Sequence, residues 1–335
     1  LSRSKTNVQG SYNVIEAAAR AGVRSVVCLS TDKAVYPVNA MGMTKALMEK
    51  TAQAFARNNP TSATTVSLTR YGNVMYSRGS VIPMFIEQLK TGKPLTLTEP
   101  TMTRFLMSLE ESVDLVYHAF FNAAPGDLFV RKAPASTVET LARAVASLFR
   151  DDDPNIRVIG SRHGEKLHET LLSREEMVGS EDQGGYFRVP LDARSLQYEL
   201  FYEEGETRRA GLDDYTSENT DRLTVHETKD LLLTEQRALA TADLLLLAEV
   251  HGHGPCSDAC VASARLGMAS AYAPGHAQDR GTEGVAILSR WPLTDVEVIE
   301  LPYHGVVVNS ARRVAVAATA MTPDGPVRVY AVHLD

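Results

Sequence analysis

Apolar positions along this chain recur with two different periods, and the alternation between them sets the expected architecture. Val8, Tyr12, Ile15, Ala18 and Ala19 fall at helical spacing, and Gly22 supplies the stop. Val26-Val27-Cys28-Leu29 follows as a short continuous apolar run, the pattern of a buried parallel strand. A helix is expected from about Met41 to Arg57, a strand over 64–68, and a helix from Ser80 to Lys90 closed by Gly92. Ser108-Leu-Glu-Glu111 is a capping box, and Val113, Val116, Tyr117 and Phe120 predict the apolar face of its helix. Leu128-Phe129-Val130 reads as a strand. Ser136-Thr-Val-Glu139 reads as a second capping box, opening a helix with Leu141, Val145 and Leu148 inward, and 156–159 reads as another strand. Helices alternating with short strands predict an α/β fold: a doubly wound parallel sheet with a small α/β lobe after it.

The pattern changes near residue 235. Ala242-Asp-Leu-Leu-Leu-Leu-Ala-Glu249-Val reads as a buried strand with a carboxylate near its end. Beyond it the segments over 284–290, 314–319 and 327–332 are strand-like, with Pro323-Asp-Gly325 as the turn between the last two. Residues 1–234 and 235–335 are therefore expected to be separate domains, the second a partial α+β segment of mostly antiparallel strands.

Composition narrows the function classes. The 335 residues are 44% hydrophobic and 22% charged, with a formal net charge of −7. That balance is globular and argues against a nucleic-acid binder, which would need a basic face. Three cysteines suggest no disulfide framework, so a cytoplasmic, reducing location is expected. No run of 18 apolar residues predicts a membrane span.

In doubly wound folds ligands bind beyond the carboxyl ends of the strands. Ser30-Thr31-Asp32-Lys33 stands there, just after Leu29. An adjacent carboxylate and amine at that position can act as general acid and general base. The plainer alternative is a turn capped by Asp32, with Lys33 in solvent.

Six stretches in order raise the first reading: TNVQGSYNVIEAA (6–18), STDKAVYPVNAMGMTKALMEK (30–50), TRYGNVMYSRGSVIPMFIEQLKTGKPLT (69–96), MTRFLMSLEESVDLV (102–116), RKAPAS (131–136) and RHGEKLHETLLSREEM (162–177). Residues 6–233 thereby resemble the extended short-chain dehydrogenases, and among them the inverting UDP-N-acetylglucosamine 4,6-dehydratases of capsular polysaccharide biosynthesis. The resemblance implies a Rossmann-like sheet, NADP or NAD as cofactor, a UDP-sugar substrate and a homo-oligomer. It implies oxidation at C4, elimination of water across C5–C6 and return of hydride to C6. Asp32 would be the acid and Lys33 the base, with Lys45 on the nicotinamide ribose and Thr31 and Tyr71 beside the cofactor. Asn73, Arg78, Arg104 and Glu165 would contact substrate, the arginines through bidentate phosphate contacts. The family's usual Tyr-x-x-x-Lys is broken here, because Met41 stands four residues before Lys45. A thioether cannot take a proton, although some capsule-type members also carry Met there. Lys33 is expected to handle both the O4 and the C5 proton, with Tyr36 and Tyr71 as rival bases. The family's glycine-rich turn would lie upstream of Leu1, so the sheet is expected to be incomplete and the chain a weak NADP binder.

A second resemblance covers residues 236–335. ADLLLLAEV (242–250), RLGMASAYAP (265–274), GTEGVAILSRWPL (281–293) and VRVYAVHLD (327–335) look like part of the endonuclease/exonuclease/phosphatase fold. It implies Glu249 as a Mg²⁺ ligand and His333 beside the scissile phosphate, hence an alternative reading as a metal-dependent phosphoesterase. A further alternative is an inactive fusion of two incomplete domains. His251, His253, Cys256 and Cys260 have metal-friendly side chains but lack a second Cys pair, and read as a loop into a helix capped by Ser257.

Overall fold

A computed structural model describes residues 4–77, 80–161, 164–191, 213–241, 244–253, 256–278, 281–300 and 314–332. The chain divides into two compact units, Leu1–Glu235 and Gln236–Asp335.

In the first unit the helices are α1 (Ser11–Arg20), α2 (Ala40–Asn58), α3 (Val81–Lys90), α4 (Leu109–Asn122), α5 (Val138–Leu148) and α6 (Arg174–Gly179); α7 (Val225–Thr241) runs through its end. Its strands are β1 (Ser25–Thr31), β2 (Thr65–Tyr71), β3 (Asn73–Val74), β4 (Leu95–Leu97), β5 (Thr103–Met107), β6 (Leu128–Arg131), β7 (Ala135–Thr137), β8 (Ile156–Val158), β9 (Thr170–Leu172), β10 (Glu181–Asp182), β11 (Tyr186–Val189) and β12 (Tyr215–Thr216). The main sheet has the order β1-β2-β6-β11-β10, with β1, β2 and β6 parallel and the last two antiparallel.

Strand periodicity explains how both faces are covered. Val66, Leu68, Leu128 and Val130 point to one face and join Met48, Ala52 and Phe55 of α2 and Ile15 of α1. Phe129 and Val27 point to the other and meet Leu115 and Ala119 of α4. A separate cluster builds the lobe: Ile82 and Phe85 of α3, Leu95 and Leu97 of β4, Leu106 of β5, Leu141 and Val145 of α5, and Leu232 of α7.

Several local expectations are met for the reasons given. Ser108 and Glu111 form a complete capping box at the start of α4. Gly22, at φ +72°, closes α1 in the left-handed conformation that glycine adopts without a Cβ penalty. Others are corrected. The cap of α5 is Thr137, whose hydroxyl accepts from the Thr140 amide, while Glu139 pairs with Arg143; Ser136 is not the cap. A capping box that the sequence reading missed, Ser173 with Glu176, opens α6. The apolar face of α4 is also different. Ser112, Leu115 and Ala119 are buried, whereas Val113, Tyr117 and Phe120 are exposed. The small residues let α4 lie close on the sheet and turn the bulky stripe outward. Strand β1 pairs only with β2 among the described residues, so Leu29 is exposed rather than buried.

The second unit holds β13 (Leu244–His253), β14 (Cys256–Ser257), α8 (Asp258–Leu266), β15 (Ala269–Gln278), β16 (Gly281–Ser289), β17 (Leu293–Glu300), β18 (Val314–Thr322) and β19 (Gly325–Val332). Two antiparallel sheets, β14-β13-β16-β15 and β17-β18-β19, pack through Ala273, Val285, Ile287, Val316 and Ala318. Ala286 and Leu288 face the other way, onto Ala259 of α8. The β18–β19 hairpin closes at Thr322 and Gly325, as the Pro-Asp-Gly turn predicts. Ser257 caps α8 by accepting from the Cys260 amide, also as expected. Cys28 is a free buried thiol, but Cys260 is disulfide-bonded, which the reducing location expected from the cysteine count did not anticipate. No helix among the described residues is long and apolar enough to cross a membrane.

Candidate active site

The site grows from the carboxyl end of β1. Thr31 ends the strand, and Asp32–Ala34 form a single 3-10 turn. The Thr31 hydroxyl donates to Asp32 Oδ1 at 2.7 Å, and Lys33 Nζ donates to the same oxygen at 3.1 Å. Asp32 is only 1% exposed, and its Oδ2 has no hydrogen-bond partner. A buried carboxylate oxygen without a donor is costly, and a donor brought by a bound molecule would offset that cost. Lys33 is half-exposed and lines a cleft of about 610 Å³ in the first unit.

Helix α2 presses on this turn. Asn39 caps it, accepting from the Gly42 amide at 3.0 Å. A Cβ on Gly42 would sit 2.2 Å from the Lys33 carbonyl oxygen, so only glycine lets the helix come this close. Met41 and Lys45 lie one turn apart in α2, on the same side of the helix. Lys45 Nζ donates to the Leu29 carbonyl at 3.3 Å, and its charge lies near enough to Cys28 to oppose the burial that pushes that thiol up to about 11. Thr31 and Tyr71 are register partners at the ends of β1 and β2.

Neither rival tyrosine base lines the cleft. Tyr71 packs against the Leu115/Ala119/Phe129 cluster, and burial raises its pKa, which weakens it as a base at neutral pH. Tyr36 takes a left-handed backbone (φ +46°), and its hydroxyl donates to Asp214 Oδ1 at 3.1 Å. That bond draws it away from Lys33 and toward the 213–218 segment.

Four residues singled out from sequence share the cleft wall: Lys33, Asn73, Arg104 and Glu165. Asn73 keeps a buried Oδ1 without a partner. Arg104 is largely committed to the protein: it donates to the carbonyls of Thr103 (2.7 Å), Lys166 (3.1 Å) and Leu167 (3.3 Å), with Nε 3.7 Å from Glu169. Arg78 lies outside the described residues. Sequence reasoning missed Lys166 and Glu169, which line the same cleft. Lys166 Nζ donates to the Val35 carbonyl, tying the 164–169 segment to the Asp32 turn. Burial lowers the Lys166 pKa, with Glu169 and Asp32 opposing, whereas burial and then the Asp32 charge raise that of Glu169. The stretch RHGEKLHET held both residues, but no spacing rule separates Glu169 from its neighbour Glu165.

Behind the turn lies a structural ion cluster. Arg70 is buried and grips Glu49 (2.8 and 2.7 Å) and Glu176 (2.7 and 2.8 Å) bidentately, and Ser30 donates to Glu49.

A carboxylate–amine pair at a strand end, facing a cleft between a parallel sheet and a small lobe, is an arrangement found on many folds. Comparison with known proteins decides among them. The model of the polysaccharide biosynthesis protein family matches residues 1–191, and the model of that family's C-terminal segment matches residues 192–236. The chain belongs to the polysaccharide biosynthesis protein family. Relatives from Rickettsia prowazekii and Rickettsia bellii, both named UDP-glucose 4-epimerase, are 57% identical over 229 and 228 residues, covering 68% of this chain and 67% of theirs. The X-ray structure of Pen from Bacillus thuringiensis is similar at 31% identity and TM-score 0.60, covering 69% of this chain and 68% of that one. The family's fold accounts for the α/β sheet and lobe of the first unit.

Neither family model extends beyond residue 236, so the nuclease-like reading of 236–335 gains no support from them. The backbone of Glu249 lies in β13 where its register against β16 shifts, between Leu247 and Val250. His333 lies outside the described residues. Among the described residues no three His, Cys, Asp or Glu side chains come together to hold a metal ion.

Proposed function

We propose that the first unit is a UDP-N-acetylglucosamine 4,6-dehydratase. The carrying observation is Lys33 at the cleft wall, 3.1 Å from a buried Asp32, while the helix position that would bear a tyrosine base bears Met41. A 4-epimerase needs proton transfer only at O4. A dehydratase needs, in addition, a base at C5 and an acid at O6, and an adjacent amine and carboxyl can serve those two atoms. Lys33 takes the C5 proton, and Asp32 protonates the departing O6. Thr31, Lys45 and Tyr71 would hold the nicotinamide end of a cofactor: Thr31 and Tyr71 end the two parallel strands, and Lys45 reaches from α2 to the β1 backbone. NADP or NAD, when bound, supplies the hydride exchange with the sugar. Asn73 offers its free carbonyl oxygen to a sugar hydroxyl, and Arg104 places positive charge toward the diphosphate while holding the 166–169 wall.

The relatives named UDP-glucose 4-epimerase support a second reading, C4 epimerisation. Mass spectrometry of the products separates the two. Incubation with excess NADP and UDP-N-acetylglucosamine is expected to give a UDP-sugar lighter by one water. Conversion of UDP-glucose to its C4 epimer, with no loss of water from either substrate, would overturn the dehydratase reading.

A further inference from the structure

Glu169 stands in the cleft wall with 6% of its surface exposed. Its only ion-pair partner among the described residues is Arg104 Nε at 3.7 Å, too long for a hydrogen bond, and Oε2 is buried without any partner. The segment that carries it is not loose. The Glu169 amide donates to Ser217 Oγ at 2.9 Å, the Ser217 amide donates back to the Glu169 carbonyl at 2.8 Å, and Arg104 binds two carbonyls just before it. A rigid backbone therefore presents an unpartnered carboxyl to the same space that Lys33 and Asn73 face. Asp32 is the neighbouring carboxylate. Its Oδ1 accepts from Lys33 Nζ and the Thr31 hydroxyl. Two carboxylates in a buried site do not both ionise readily; Asp32 Oδ1 has two donors, and Glu169 Oε2 has none.

We propose that Glu169 is a further substrate-binding residue, a neutral carboxylic acid that donates its proton in a hydrogen bond to a hydroxyl of the bound UDP-sugar. The proposal rests on the cleft being the UDP-sugar site. It adds to Asp32 and Lys33 a second carboxyl beside the sugar, one whose Oε2 has no donor of its own. The direction of the Glu169 pKa agrees, raised first by burial and then by Asp32, with Arg104, Lys33 and Lys166 opposing.

Calorimetric titration of the full chain with UDP-N-acetylglucosamine at about pH 6 and about pH 9 tests it. Wild-type affinity is expected to fall about tenfold as Glu169 ionises, the weight of one lost hydrogen bond. Glu169→Gln keeps a neutral donor, so it should bind as wild type does at the lower pH and lose the extra pH dependence. Glu169→Ala should bind about tenfold more weakly at both. Reading the difference between wild type and Glu169→Gln cancels the titration of Asp32, Lys33, Glu165, Lys166, His168 and Glu218, the other ionisable groups around this wall. Independently, the infrared difference spectrum of wild type minus Glu169→Gln at neutral pH should show the carbonyl stretch of a protonated carboxylic acid. Absence of that band, or Glu169→Gln binding as poorly as Glu169→Ala, overturns the proposal. Failure of wild type to bind the sugar nucleotide at any pH overturns the UDP-sugar reading, and the proposal with it.

Discussion

Gly42 and Glu169 show how single residues set this site. A methyl group at Gly42 would stand 2.2 Å from the Lys33 carbonyl oxygen and 3.1 Å from Pro37 Cβ. The backbone must move, and what moves is the turn that carries Asp32 and Lys33. Gly42→Ala is expected to cost about 1–3 kcal/mol by overpacking. It should also cut turnover about 100-fold, since a shift of about 1 Å in a reacting group has that effect. A thermal melt beside a rate measurement checks both. Glu169 makes a stability prediction of opposite sense to most carboxylates. Its folded pKa is raised, so the stability linked to its proton is present below the ordinary glutamate value and is lost as pH rises through the folded one. Glu169→Gln should therefore gain stability over wild type as pH rises above about 5. Denaturant midpoints that stay parallel from acid to alkaline pH would refute this. Asp32 and Lys33 were legible in the sequence because they are adjacent and follow a strand. Glu169 was not, because its meaning depends on a buried position beside a residue 137 places earlier.

At the level of elements, β2, α2 and α6 are joined by Arg70. Its guanidinium binds two carboxylates from two helices and also donates to the Leu171 carbonyl at 3.0 Å. Burial, the largest influence on Glu176, pushes its pKa up, yet the Arg70 hydrogen bonds and charge bring it below the usual value. That group stabilises the fold above the ordinary glutamate pKa, and the stabilisation is lost as pH falls through the lowered one. Arg70→Met leaves Glu49 buried and uncompensated, and is expected to destabilise by about 3–5 kcal/mol. Denaturant unfolding at neutral pH checks the size; in acid the difference between Arg70→Met and wild type should shrink. Helix starts were legible where one side chain caps one amide, as at Ser108 and Ser257. The buried side of α4 was not. Both of its stripes are apolar, and choosing between them needs the sheet against which Ser112 and Ala119 fit.

Across the whole molecule, the two units have separate cores. Ile287 is buried among residues of the second unit, and the cleft is lined by residues of the first. Ile287→Ala should destabilise the second unit by about 2–5 kcal/mol while leaving UDP-N-acetylglucosamine affinity unchanged. Calorimetric melting beside a binding titration measures the two effects on one sample. A loss of affinity would mean that the second unit contributes to the site.

By itself the sequence determined the longer helices and buried strands, the caps at Ser108 and Ser257, the turn that follows β1, and the pairing of an acid with an amine on that turn. These depend on contacts between residues a few positions apart, which the order of side chains dictates. Tertiary structure alone decided that Tyr36 is drawn to Asp214, that Tyr71 is packed against the Leu115/Ala119/Phe129 cluster, and that Lys166 and Glu169 line the same cleft as Lys33. Burial and neighbouring charge control what such groups can do, and both arise only when distant segments pack together.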